Sequence, residues 1–120
     1  MEPVKIEEGQ ETHIKGFIMN KLYLGGFFAG KGKKHHGKHT SVKNLPKGYP
    51  PKYRHRFSRV VKDLKKAGLI IIFPSCGENH VCAVLDPELV DIGLQIANAF
   101  RQSAGLPLLP DKLTKVLKRK

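Results

Sequence analysis

Six residues of the types that bind metal ions lie in two separate parts of the chain. They are His35, His36, His39, Cys76, His80 and Cys82. Imidazole and thiolate are ligands that zinc prefers, but a structural zinc site holds four of them, usually in paired spacings such as C-x-x-C. No C-x-x-C pair is present, and a shared site would need a contact that no feature of the sequence demands. We therefore expect no metal and no other cofactor, and interpret the three histidines in residues 30–40 as donors that contact nucleic-acid backbone and stack on exposed bases.

Cationic side chains dominate the chain. Its 120 residues include 22 Lys and Arg against 10 Asp and Glu, for a net charge of +12. Residues 16–66 hold nearly all of the excess, with 14 basic residues and 1 acidic residue. Such a density of like charge repels itself unless a partner of opposite charge neutralises it, and phosphate is the common partner. The charge pattern predicts nucleic-acid binding.

Three segments carry the candidate contacts: a Gly/Lys/His arm at residues 30–40, a basic helix at residues 51–66 and the last residues of the chain. Arginine adds planar, two-pronged hydrogen bonding to the point charge that lysine offers. The candidate nucleic-acid-binding residues are Lys31, Lys33, Lys34, His35, His36, Lys38, His39, Lys43, Lys47, Lys52, Arg54, His55, Arg56, Arg59, Lys62, Lys66, Lys118, Arg119 and Lys120.

Enzymatic chemistry has little support. Asp63 is the only carboxylate in residues 16–66, and no nucleophile and base occur in a recognisable context. The arm, GKGKKHHGKHT, is rich in glycine but lacks the spacing of a phosphate-cradling loop. We expect a protein without catalytic residues.

The longest apolar stretch, residues 67–74, is far shorter than the roughly 20 residues of a membrane-spanning helix. The first residues are acidic and do not resemble a signal peptide. We expect a cytoplasmic protein with no membrane partner. In the cytoplasm, two cysteines do not form a disulfide framework. A single disulfide between Cys76 and Cys82, across a predicted turn, stays open.

The apolar pattern predicts one α+β domain at residues 13–105 that includes the arm. A flexible acidic tail at residues 1–12 precedes it, and a basic tail at residues 106–120, with a short helix from Asp111, follows it. Thr12 is expected to cap the first helix, and Thr40 a short helix that Pro46 stops. Residues 51–67 have a clear helical period, with Tyr53 and Leu64 on an apolar face opposite the cations.

Gly68 should end that helix, and the runs at residues 69–73 and 80–85 should form a hairpin. Asp86 and Pro87 mark the start of the last long helix. Its expected buried stripe is Leu89, Ile92, Ile96 and Phe100. A second apolar strip, formed by Val90, Leu94 and Ala97, could serve as a dimer face or could equally pack the arm or the tail.

This order of elements resembles the winged-helix fold, with VVKDLKKAGLIII at residues 60–72 similar to the end of a recognition helix and the first wing strand. The resemblance implies a winged helix-turn-helix of three helices and a β-hairpin wing, a further C-terminal helix, and Leu64 and Leu69 in the core. KHHGKHTSVKNLPKGYP, residues 34–50, is similar to a segment of small basic archaeal winged-helix proteins associated with nucleic-acid machinery, including the ribosome.

Three hypotheses of function follow. The first is an RNA-binding, ribosome-associated protein that contacts ribosomal RNA and ribosomal proteins. The second is a DNA-binding transcription regulator or chromatin-type protein of the nucleoid, which would dock residues 52–66 in the major groove and form a homodimer. The third is a module that bridges a polymerase or ribosomal subunit to nucleic acid.

Overall fold

A computed structural model describes residues 2–28, 38–110 and 113. These residues form an α+β fold, as predicted, with three α-helices and a three-stranded antiparallel sheet. The elements are α1 (Glu2–Gly25), β1 (Thr40–Ser41), a 3-10 helix (Val42–Asn44), a second 3-10 helix (Pro51–Arg56), α2 (Phe57–Lys66), β2 (Ile70–Ser75), β3 (Glu78–Ala83) and α3 (Pro87–Ser103).

Helix α1 begins at Glu2, well before the start predicted at Thr12. Residues just ahead of Thr12 have partners elsewhere in the fold, which the local sequence does not reveal. Gln10 donates a hydrogen bond to the hydroxyl of Tyr49, and Glu11 forms an ion pair with Arg59. The early turns of α1 therefore contact the basic part of the chain.

Strand β3 lies at the centre of the sheet, between β1 and β2. The predictions did not include β1, because two residues are too few to show an alternating pattern. Ser41, rather than the predicted Thr40, caps the first 3-10 helix, and its hydroxyl accepts from the Lys43 N–H at 3.2 Å. Thr40 instead accepts from the side chain of Asn44 at 2.9 Å.

The hairpin has a tighter turn than predicted. Its strands extend to Ser75 and resume at Glu78, so that Cys76 and Gly77 alone make the turn, with φ of 51° and 79°. Positive φ at both positions is the requirement of a type I′ hairpin turn. Cys82 pairs with Ile71 and lies away from the turn, and both cysteines are free thiols.

Helix α3 packs on α1 through a face that includes only part of the predicted stripe. Leu89, Ile96 and Phe100 are half-buried, and Leu89 and Ile96 pack against the core as predicted. Ile92, which was expected inside, is 47% exposed, whereas Val90, Leu94 and Ala97 are buried. Gly93 explains the choice, because a Cβ there would lie 1.9 Å from the hydroxyl of Tyr23. The strip predicted as a dimer face is therefore part of the core of the chain itself.

Residues 106–110 contact α3 at two positions, Pro107 and Leu109. The Leu109 side chain is buried, and its N–H donates to the side-chain oxygen of Asn98 at 2.9 Å. The Arg101 guanidinium donates to the Pro107 carbonyl at 2.6 Å. The short helix predicted from Asp111 lies outside the described residues except for position 113.

Candidate nucleic-acid interface

The polarity of α2 is set by the spacing of its apolar residues. Phe57, Val60, Val61 and Leu64 are buried, at intervals that return to one side of an α-helix. Gly68, with φ of 83°, ends the helix as predicted. The buried side fixes the rotation of α2, and the remaining positions must face solvent.

Cations occupy most of those outward positions in residues 51–66, which we call the basic segment. Its exposed cationic or titratable side chains are Lys52, Arg54, His55, Arg59, Lys62, Lys65 and Lys66. Lys65 was not among the candidate contacts, because it lies toward the edge of the polar face on a helical projection. Arg56, a candidate contact, is half-buried.

The first six residues of the basic segment are 3-10 rather than the predicted α-helical. Pro50 and Pro51 provide no side-chain cap, and the Tyr53 N–H bonds the Pro50 carbonyl at 3.0 Å, which gives the tighter turn. Lys52 lies with its ammonium 5.2 Å from the centre of the Tyr53 ring. The segment thus presents an aromatic ring beside its positive charges.

Arg59 forms an ion pair with Glu11 of α1, with 3.7 Å between Nε and Oε2. The Arg59 side chain remains 74% exposed. The Glu11 side chain is 21% exposed, and an ion pair with one such exposed partner contributes modest stability, about 1 kcal/mol. A phosphate can therefore compete for Arg59 at small cost to the fold.

Lys21 of α1 anchors the turn at residues 44–47, before the basic segment. Its ammonium donates to the carbonyls of Asn44, Leu45 and Lys47, at 2.9, 3.1 and 2.6 Å. Burial, and to a lesser extent the charge of Lys47, lowers the pKa of Lys21. The Lys21 ammonium fixes the backbone of Lys47, whose side chain remains exposed to solvent.

Tyr49 anchors the same turn through its ring and hydroxyl. The ring packs edge-on against Phe17 and Phe57, with centroids 4.9 and 5.4 Å away, and the hydroxyl lies 2.7 Å from Nδ1 of His13. Burial of the phenol raises the pKa of Tyr49. The segment KNLPKGYP, residues 43–50, therefore has a structural role that its charge alone did not suggest.

A cleft of about 360 Å³ separates α2 from the hairpin and the first 3-10 helix. Its lining is mainly apolar and includes Val42, Phe57 and Ile72, with Lys43 and Lys62 also at the cleft. Flat apolar rings fit such a surface, and two ammonium groups suit the phosphate of the same nucleotide. The cleft can therefore accept an unstacked nucleobase.

Glu78 is the carboxylate nearest to Lys43, at 3.9 Å, and it also accepts from the Ser41 hydroxyl at 2.5 Å. The Ser41 hydrogen bond, followed by the charge of Lys43, lowers the pKa of Glu78. Both Lys43 and Glu78 are exposed, so this pair too can open to a competing phosphate.

The structure describes only the end of the arm. Lys38 is exposed, with its ammonium 5.2 Å from the centre of the Phe27 ring. His39 does not point away from the domain: its Nδ1 lies 2.9 Å from Nδ1 of His80 on β3. The candidate contacts outside the described residues are Lys31, Lys33, Lys34, His35, His36, Lys118, Arg119 and Lys120.

Two further observations concern what the described residues do not form. Within residues 2–28 and 38–110, no three His, Cys, Asp or Glu side chains converge as a ligand set for a metal ion. None of the helices in the described part of the chain is long and apolar enough to cross a membrane.

Comparison with protein-family models, with curated proteins and with solved structures finds no match to this chain.

Proposed function

We propose that this protein is a non-enzymatic, winged-helix nucleic-acid-binding protein that acts through its basic segment. The observation that carries the proposal is the division of α2 into a buried apolar side and an exposed side with Arg59, Lys62 and Lys66. Because these cations lie on a rigid, packed helix, they form a fixed array that phosphates can meet without ordering new structure.

The order of elements supports the winged-helix assignment. The basic segment is followed directly by a β-hairpin, and the short strand β1 adds to the hairpin beside β3. This resembles the arrangement in which a recognition helix precedes a wing. On this proposal, the loop at Cys76 and Gly77 is the tip of the wing.

RNA is the favoured partner, in particular ribosomal RNA in a ribosome-associated role with ribosomal proteins nearby. The apolar cleft between α2 and the hairpin supports RNA, because sequence-specific RNA recognition targets unstacked bases in loops and bulges. The 3-10 helix Val42–Asn44 is only three residues long, where a DNA-reading helix-turn-helix has a full first helix.

Duplex DNA is the second candidate, and one observation favours it. Arg59, Lys62 and Lys66 are exposed on a regular α-helix, the element whose width matches a major groove. The homodimer expected of such a regulator finds no support in α3, since Val90 and Ala97 are fully buried.

Crosslinking in cells, followed by sequencing of the attached nucleic acid, tests the proposal. We expect fragments of ribosomal RNA, and fewer of them from a variant with Lys62→Gln and Lys66→Gln. Recovery of duplex DNA would select the second candidate. Recovery of no nucleic acid above the level of an acidic control protein would contradict both.

A further inference from the structure

The end of the arm and the hairpin meet at a pair of histidines. His39, which precedes β1, and His80, on β3, share a hydrogen bond between their Nδ1 atoms, which lie 2.9 Å apart, and a metal ion bound by both nitrogens would replace it. The residues are 41 positions apart in the sequence, so the contact is a product of the fold. No feature of the sequence predicts a contact between the arm and the hairpin. The lack of such a predicted contact was one of the two reasons for expecting no metal.

The sheet register explains how the two rings meet. Ser41 pairs with His80 and Thr40 pairs with Val81, which places His39 just beyond the end of β1 on the same edge of β3. On the other side of β3, His80 pairs with Phe73 of β2. The two imidazoles therefore share one face of the sheet.

Phe73 holds both rings in place. Its ring centre lies 5.0 Å from that of His39, nearly perpendicular, and 6.3 Å from that of His80. The two imidazole rings are themselves tilted by 73°. Rings packed in this way lose little further freedom when they bind a common ligand, which favours binding.

The separation of the two nitrogens fits two ligands of one metal ion. For metal–nitrogen bonds of about 2.0 to 2.1 Å, two nitrogens at a right angle around the ion lie about 2.9 Å apart, and at a tetrahedral angle about 3.4 Å apart. The observed 2.9 Å matches the first value and needs an opening of roughly half an ångström for the second. Imidazole is a ligand that zinc, nickel and copper all accept.

We propose that His39 and His80 are two ligands of a divalent transition-metal site that ties the arm to the hairpin, with zinc or nickel as the probe ions. The other coordination positions belong to water. A site with two imidazoles exchanges its metal readily, unlike a four-ligand structural zinc site. The proposal is independent of nucleic-acid binding, since it needs no phosphate.

Calorimetric titration of the full chain, prepared without a histidine tag, with ZnCl₂ and separately with NiCl₂ tests the proposal. We expect one ion to bind per chain. His39→Gln and His80→Gln should each weaken binding about tenfold or more, because loss of a group that merely orients a ligand already costs roughly 10- to 100-fold. His55→Gln is the matched control: His55 is exposed on the second 3-10 helix, and its loss should leave the affinity unchanged.

Three results would overturn the proposal. The first is the absence of binding by the parent chain. The second is a His80→Gln chain that binds as tightly as the parent, which would assign the metal to the arm histidines alone. The third is an equal loss in the His55→Gln control, which would indicate non-specific binding.

Circular dichroism verifies that each variant folds, and one folded variant, either His39→Gln or His80→Gln, is enough for the test. If neither folds, the ring NMR signals of His39 and His80 in the parent must shift together on adding zinc, and unmoved signals would overturn the proposal.

Discussion

Gly16 of α1 contacts Phe100 of α3 so closely that a Cβ on Gly16 would lie 2.4 Å from the Phe100 Cβ. The same Cβ would lie 2.9 Å from the carbonyl oxygen of Ile96. Neither atom can move aside by a side-chain rotation, because the Ile96 oxygen belongs to the backbone and the Phe100 Cβ is bonded directly to it. Gly16 is therefore the residue that allows α1 and α3 to pack.

Gly16→Ala should destabilise the fold. Helix propensity would gain about 1 kcal/mol, but overpacking costs about 1 to 3 kcal/mol or more, and contact with backbone atoms places this site at the upper end. We expect a net loss of about 1 to 2 kcal/mol in the free energy of unfolding in urea. Gly9→Ala is the control in the same helix, because nothing lies within 4 Å of its Cβ position. A Gly16→Ala chain as stable as Gly9→Ala would contradict the packing.

Lys21→Met should destabilise the fold by about 1 to 3 kcal/mol, because it removes an ammonium that donates to three carbonyls, of which the part-buried Leu45 carbonyl loses its donor while the Asn44 carbonyl keeps the Lys47 N–H. Thermal and urea unfolding measure the loss. Lys47→Met provides the control, since that side chain is exposed, and it should stay within about 0.5 kcal/mol of the parent. Equal midpoints for the two variants would show that the turn does not depend on Lys21.

Thiol reactivity should separate the two cysteines. Cys82 is fully buried, and burial raises the pKa of its thiol to about 11, so it is neutral and shielded at pH 8. Cys76 is exposed at the hairpin turn. Ellman's reagent at pH 8 should therefore react quickly with Cys76 alone in the native protein, and with both thiols after unfolding in guanidinium. Cys76→Ser should abolish the fast reaction. Two fast thiols in the native parent would contradict the burial of Cys82.

Local patterns predicted the elements whose signals are local. The spacing of Phe57, Val60 and Leu64 predicted the rotation of α2, and Leu64 and Leu69 are buried as expected. Asp86 caps α3 as predicted, with its carboxylate accepting from the Glu88 N–H at 3.1 Å. Each of these features depends on residues within a few positions of one another.

Features that depend on distant contacts could not be predicted in this way. The buried side of α3 combines residues of both apolar strips, and one of the contacts that places it there, between Gly93 and Tyr23, involves a distant part of the chain. A glycine flanked by apolar residues in the middle of a helix was the available signal. The anchoring of the turn by Lys21 had none, since one lysine among many does not reveal that its partners are backbone carbonyls.

The salt dependence of RNA binding is the most direct test of the central claim that the exposed side of α2 binds phosphate. Fluorescence anisotropy with a labelled ribosomal RNA hairpin gives the slope of log affinity against log salt concentration. The variant with Lys62→Gln and Lys66→Gln, both exposed, should bind more weakly, with a slope shallower by about 1.4 to 1.8, since each lost phosphate contact removes about 0.7 to 0.9. The matched variant with Lys62→Arg and Lys66→Arg keeps the charge and should keep the slope. A parent affinity that does not change with salt, or equal slopes for the glutamine and arginine variants, would contradict the claim.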